Sequence, residues 1–134
     1  MRKPQIVRIT QKELEKKIKS GRSSNVHAIT IGNRIYLTPE AKQIDKEHEL
    51  AHVKLGHKPK KRMNAYTYAR REVIAEKMAS DKLKRKVSKG YLDEVRKDIK
   101  EIWGKHTTDK NELSFRARDA VNKASKRYGI KHRV

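Results

Sequence analysis

The sequence contains no cysteine, which excludes disulfide bonds, thiolate metal ligands and cysteine nucleophiles. Aromatic residues make up only 5% of the 134 residues, and no RNP or zinc-finger motif occurs among them, so nothing indicates base-specific nucleic-acid recognition. No run of about 18 apolar residues exists, so the sequence predicts no membrane-spanning helix. The N-terminal residues also lack the apolar stretch of a signal peptide, and we therefore expect a cytoplasmic protein.

Positive charge is what the sequence has in excess. Its 36 Lys and Arg residues outnumber its 16 Asp and Glu residues and give a formal net charge of +20. A charge of this size favours anionic partners, so non-specific, salt-dependent nucleic-acid binding is one candidate interaction of the surface. The apolar fraction of 34% suffices for one modest core, and the length fits a single domain spanning residues 1–134.

Residues 48–52 form an H-E-x-x-H motif, which is the strongest functional signal in the chain. Residues four apart lie on the same face of a helix, so His48 and His52 can bind one metal ion. Glu49 lies beside that face, where it can accept a proton from a water on the metal. Zinc suits imidazole and carboxylate ligands and keeps one position open for water in catalytic sites, so the expected cofactor is Zn²⁺.

A catalytic zinc needs a third protein ligand, and two residues after the motif qualify. His57 lies five residues after His52 and follows Gly56, which we expect to end the helix. Glu72 lies twenty residues after His52, in a stretch rich in alanine, where an unpaired carboxylate on the inner face is costly. The small-residue face favours Glu72 as the ligand, and His57 remains the alternative.

The motif, followed by Glu72 and by a further acid at Glu76, resembles the gluzincin metallopeptidases, in which H-E-x-x-H precedes E-x-x-x-D on a second helix. Residues 35–40 (IYLTPE) and 48–57 (HELAHVKLGH) also resemble the ImmA/IrrE-like peptidase domains, and the short chain resembles soluble minimal gluzincin scaffolds. The resemblance covers about residues 29–83. It implies that Glu76 orients a ligand histidine, although glutamate replaces the usual aspartate there.

Together with the motif, the resemblance implies a zinc-dependent metallopeptidase acting on a peptide or protein substrate. His48, His52 and Glu72 are the expected zinc ligands, and Glu49 is the expected general base for the attacking water. The catalytic core is expected at about residues 22–90. In the resemblance, the strand just before the motif helix forms the cleft rim and offers its free edge to an extended peptide.

The order of periodic segments predicts an α+β fold. A small, mostly antiparallel sheet is expected to pack on the motif helix and the Glu72 helix, with an extension of further helices in residues 91–134. Earlier in the chain, Thr10 begins a capping-box spacing for a first helix, which we expect to end at Gly21.

The segment before the motif predicts a hairpin that leads directly into the motif helix. Residues 26–31 and 34–37 have strand-like sequences on either side of a turn at Gly32. Thr38 is a good capping residue, and Pro39 suits the first helical position. We therefore expect the motif helix to begin at this point.

Two roles remain open at the sequence level. Either Tyr66 or Tyr68 could donate a hydrogen bond to the developing oxyanion, or both could simply pack in the core. Some minimal gluzincins are latent, with their C-terminal region lying over the cleft. By that resemblance, residues 128–134 could lie against the cleft rim, with His132 or the terminal carboxylate at the metal; a frayed basic tail is the alternative.

Two further functions compete with a simple peptidase. The first is a basic nucleic-acid-associated regulator whose metal site is structural or idle. The second is a protease that acts on proteins held at nucleic acid, which would connect the net charge of +20 with the zinc site. Peptide hydrolysis and salt-dependent DNA binding are the measurements that separate them.

Overall fold

A computed structural model describes residues 3–18, 26–57, 63–105 and 107–134. The described residues form three strands and five helices, which confirms the α+β prediction. Their order along the chain is β1 (Gln5–Arg8), α1 (Gln11–Lys17), β2 (Ala28–Ile31), β3 (Arg34–Leu37), α2 (Gln43–Lys54), α3 (Ala65–Lys82), α4 (Lys89–Gly104) and α5 (Lys110–Arg127).

The sheet is mixed, because one of its two strand pairings is parallel. Its strand order is β1-β3-β2; β1 runs parallel to β3, and β2 runs antiparallel to it. The predicted hairpin of β2 and β3 is confirmed, and Gly32 in its turn has φ of +61°, a left-handed conformation that favours glycine. A mostly antiparallel sheet was expected, whereas β1 pairs in parallel with β3, a strand that is far away in sequence.

The first helix begins as predicted. The Thr10 hydroxyl accepts a hydrogen bond from the Glu13 N–H, and the Glu13 carboxylate accepts one from the Thr10 N–H, which completes a capping box. The helix ends at Lys17, where Ile18 is already extended, and thus earlier than predicted; the predicted end at Gly21 lies outside the described residues. The beginning of the predicted catalytic core at residue 22 lies outside them as well.

The motif helix begins later than predicted. It starts at Gln43, where the Asp45 carboxylate accepts a hydrogen bond from the Lys42 N–H. Thr38 does not cap it, because Thr38 is 2% exposed and both its backbone N–H and its hydroxyl donate to the His27 carbonyl. Thr38 therefore extends the contact between β3 and the segment before β2 instead of starting a helix.

The main apolar core lies among α3, α4 and α5, beside the helix that carries the motif. Each of these helices begins at a side-chain cap, supplied in turn by Asn64, Ser88 and Asp109. Helix α3 packs against α2 on one side and against α5 and α4 on the other. None of the described helices is long and apolar enough to cross a membrane.

The last residues of the chain pack on α5 and not over the motif. Ile130 is buried in the helical core, and its N–H donates to the Ser125 carbonyl. At the chain end, Val134 and the side chain of Asn122 exchange two hydrogen bonds. His132 is exposed. Of the two alternatives for residues 128–134, the position against the cleft rim is therefore wrong, because Ile130 is buried in the helical core and Tyr128 and Val134 pack against it.

Candidate metal centre

Two helices bring three potential ligand atoms to one point. His48 and His52 lie on α2 and Glu72 lies on α3. The Nε2 atoms of the two histidines are 2.9 Å apart, and Glu72 Oε2 lies 3.2 Å from His48 Nε2 and 2.5 Å from His52 Nε2. These three form the group in the described residues that could hold a metal ion. Two imidazole nitrogens and a carboxylate oxygen are a donor set that fits zinc.

Small side chains on α3 allow this convergence. Ala75 and Ala79 follow Glu72 at three and seven residues, and both are buried. Ala51, between the two histidines on α2, is buried as well. Because alanine lets helix backbones approach closely, the side chains of the two helices can meet at a single point. This alanine-rich face is the feature of the sequence that favours Glu72 over His57 as the third ligand.

The pKa values of His48 and Glu72 depend on each other, because the two side chains are buried in contact. Burial alone would lower the pKa of His48, but hydrogen bonds to Glu72 and Glu76 and the nearby carboxylate charges raise it to about 10. Burial would raise the pKa of Glu72, yet the charge of His52 and the hydrogen bonds from both histidines lower it well below its usual value. Without a metal, the site is thus a buried ion-paired cluster, and a divalent cation would replace the proton on His48.

The Nδ1 atom of each of the two histidines has its own partner. His48 Nδ1 donates to Glu76 Oε1 at 2.9 Å, which is the contact expected of a carboxylate that orients a ligand. His52 Nδ1 lies 3.0 Å from His57 Nδ1. His57 is therefore on the opposite side of the His52 ring from Glu72 and is not part of the three-residue group. Burial, His52 and the nearby arginines lower the pKa of His57 to about 4.

Glu49 lies beside the three-residue group without belonging to it. Its side chain is 9% exposed and lines the cleft next to His48. The Thr30 hydroxyl on β2 donates to Glu49 Oε1 at 3.2 Å and so fixes one carboxylate oxygen. The arrangement suits a group that accepts a proton from a molecule in the cleft, because general bases act from within hydrogen-bond reach of their substrate.

The cleft beside the group is acidic although the molecule is strongly basic. Six of its lining side chains are carboxylic acids, which disfavours a phosphate backbone inside it. Its walls come from the segment at the start of β2 and from α2, α3 and α4. The lining residues are Val26, His27, Ala28, Asp45, His48, Glu49, Glu72, Glu76, Tyr91, Glu94, Val95 and Asp98.

The strand that borders the cleft is β2 and not β3, the strand just before the motif helix. Strand β3 lies in the centre of the sheet, with one edge paired to β1 and the other to β2. It offers no free edge to a peptide. Sequence reasoning failed here because β1, the parallel neighbour of β3, gives no local signal of where it pairs.

The tyrosine at the cleft is Tyr91, which sequence reasoning did not select. Its hydroxyl donates to the Glu72 carbonyl at 2.9 Å, and its ring lies 5.8 Å from the His48 ring. Tyr66 and Tyr68 are absent from the cleft lining; Tyr68 instead donates to Asp98 and packs on Trp103. Nothing in the local sequence distinguishes Tyr91, since only the packing of α4 on α3 brings it to the site.

Comparison of the chain with protein-family models, with curated proteins and with solved structures finds no match. The resemblance to gluzincins therefore stays a prediction from the motif residues. The geometry of His48, His52 and Glu72, with the carboxylate of Glu49 beside them, is the basis for assigning a function.

Proposed function

We propose that the chain is a zinc-dependent metallopeptidase. The observation that carries this proposal is the convergence of His48 Nε2, His52 Nε2 and Glu72 Oε2, with a fourth group, Glu49, at the same cleft. Three protein ligands and an open side are the arrangement of catalytic zinc, whereas structural zinc sites are closed by four protein ligands. His48, Glu49 and Glu72 all line the cleft, so a substrate that enters it would lie beside two of the three proposed ligands and the proposed base.

The residues of the chain have separate tasks in peptide hydrolysis. When bound, zinc supplies Lewis-acid chemistry that polarises the scissile carbonyl and makes a water acidic near pH ~7. Glu49 accepts the proton of the attacking water and then gives it to the leaving amine, so that no net proton is lost. Thr30 holds one oxygen of Glu49, and Glu76 holds the His48 ring.

The rim of the cleft suggests how a peptide would lie. Among the described residues, β2 pairs with β3 alone, so its other edge is available for a further strand. Val26, His27 and Ala28 line the cleft at the start of this strand. An extended peptide that adds to β2 by backbone hydrogen bonds would pass beside Glu49. This assigns to β2 the role that the sequence analysis gave to β3.

The test is a Glu49→Gln variant. Glutamine keeps the size of the side chain but accepts no proton, so zinc binding should be kept while hydrolysis of a peptide library falls by at least about 100-fold. Glu101→Gln on the exposed side of α4 removes the same charge away from the cleft and serves as the matched control. Equal hydrolysis by the parent and Glu49→Gln would reject the assignment of the base.

The same experiment separates the competing function. A nucleic-acid-associated regulator with an idle metal site would bind zinc through His48, His52 and Glu72, yet neither the parent nor Glu49→Gln would hydrolyse peptides. Salt-dependent DNA binding by both proteins, with no hydrolysis at full zinc occupancy, would favour this alternative.

A further inference from the structure

We infer that His57 is a positioning residue that holds the His52 imidazole with its Nε2 lone pair directed at the metal. This inference depends on the proposed metal site but not on peptide hydrolysis. The observation behind it is the 3.0 Å separation of His52 Nδ1 and His57 Nδ1, with ring centroids 5.2 Å apart.

The contact between the two rings follows from the way α2 ends. Gly56 has φ of +69°, and its N–H donates to the Val53 carbonyl, while the His57 N–H donates to the His52 carbonyl at 3.0 Å. These two bonds are the Schellman termination, in which the second residue after the C-cap, here Leu55, returns to the residue five positions earlier. That pair commonly makes a hydrophobic side-chain contact; here the same geometry brings together two imidazoles.

Proton accounting at the two rings sets the direction of the bond. A neutral imidazole that binds a metal through Nε2 carries its proton on Nδ1. The His52 Nδ1–H then needs an acceptor, and His57 Nδ1 lies at hydrogen-bond distance. His57 must therefore present a lone pair at Nδ1 and carry its own proton on Nε2. A cationic His57, or one protonated at Nδ1, would place two donors face to face.

The two ligand histidines are consequently held by different chemistry. The His48 Nδ1 proton goes to a carboxylate, Glu76, whereas the His52 Nδ1 proton goes to a neutral ring, His57. A neutral acceptor fixes the orientation of His52 without adding another negative charge to a site that already contains Glu72 and Glu76. His57 thereby acquires a role that explains its proximity to the metal group without making it a ligand.

The first test uses a pair of variants matched in shape. In His57→Asn the Oδ1 atom takes the place of Nδ1 and can accept the same proton, whereas His57→Leu has similar size and no acceptor. Zinc affinity, measured by competition with a chromophoric chelator, should fall about 10–100-fold in His57→Leu. The zinc affinity of His57→Asn should lie close to that of the parent. Equal affinity in the two variants would overturn the inference, as would a loss in His57→Asn as large as in Glu72→Ala, which would make His57 a ligand.

The second test observes the protons directly. Long-range ¹H–¹⁵N spectra of the zinc-loaded protein should show His52 protonated at Nδ1 and His57 protonated at Nε2. A His57 proton on Nδ1 overturns the inference while leaving the metal site intact. A parent protein that binds no zinc removes the metal site and the inference together, whereas one that binds zinc without hydrolysing peptides removes only the proposed activity.

Discussion

At the residue scale, the relation between Glu72 and His57 decides what kind of site this is. Both lie within reach of His52, but Glu72 faces Nε2 and His57 faces Nδ1 of the same ring. An imidazole binds one metal ion through one nitrogen, and the two residues contact opposite sides of the His52 ring. Their removal should therefore affect metal binding by different amounts.

We expect Glu72→Ala to weaken zinc binding much more than His57→Ala does. Loss of His57 removes a partner of a ligand, an effect of about 10–100-fold, whereas loss of Glu72 removes a ligand and should exceed that range. Equilibrium dialysis against zinc measures both, with Glu101→Ala as control and circular dichroism to confirm folding. The reverse ranking would place the third ligand at His57.

His48 gives the metal-free protein a pH-dependent stability. Because its pKa is raised from 6.5 to about 10 on folding, its contribution is fully present below pH 6.5 and is lost as the pH rises through about 10. The difference in free energy of unfolding between the parent and His48→Gln should shrink across that interval. Urea denaturation in the presence of EDTA measures it, and a constant difference would contradict the ion-paired cluster.

At the element scale, the end of α2 is as important as its motif. Gly56 and Gly32 both have positive φ, and a Cβ at either would meet nothing within 4 Å. Replacing either with alanine therefore costs backbone strain of about 1–2 kcal/mol and no steric clash. The two glycines form a matched pair, because only Gly56 precedes His57.

We expect Gly56→Ala and Gly32→Ala to lose similar stability, while zinc affinity falls only in Gly56→Ala. The physical reason is that alanine at 56 resists the left-handed conformation that returns His57 to His52. Thermal unfolding without metal and zinc competition give the two quantities. If both variants bind zinc like the parent, the helix end does not help to hold His52.

The local parts of the site were predictable from the sequence, and the long-range parts were not. Helical spacing alone places His48 and His52 on one face, and the alanine-rich face of the next helix pointed to Glu72. Tyr91 reaches the cleft only through tertiary packing. The central position of β3 depends on its parallel pairing with β1, from which it is separated in sequence by α1 and β2. The start of α2 was mispredicted because Thr38 hydrogen-bonds to His27 in preference to capping a helix.

At the scale of the whole molecule, the residues that line the cleft are distinct from those that stabilise the fold around it. Acidic side chains line the cleft, whereas the net charge of +20 belongs to the molecule as a whole. The C-terminal residues belong to the scaffold, since Ile130 fills the helical core and Val134 bonds to Asn122. They should influence stability and not access to the cleft.

Removing residues 129–134 should therefore destabilise the protein by about 1.5–3 kcal/mol, the value of one buried isoleucine, and should not raise peptide hydrolysis at equal zinc occupancy. A shorter truncation that removes residues 131–134 keeps Ile130 and should lose much less stability. Chemical denaturation and a peptidase assay compare the two. Faster hydrolysis after either truncation would restore the interpretation of a self-inhibiting tail.

The junction between α2 and α3 has a consequence for the lifetime of the protein. The helical core cluster, among the described residues, takes its buried members from α3 onwards, while His48 and His52 of α2 and Glu72 of α3 lie at the contact between those two helices. A bound ion would then act as a cross-link between the sheet-bearing half of the chain and the helical half. A ligand that binds only the native state stabilises it by mass action. Removal of the metal by a chelator would therefore loosen the contact between α2 and α3 and expose it to proteolysis. The abundance of the protein would thus follow the metal supply, quite apart from any reaction that the metal supports.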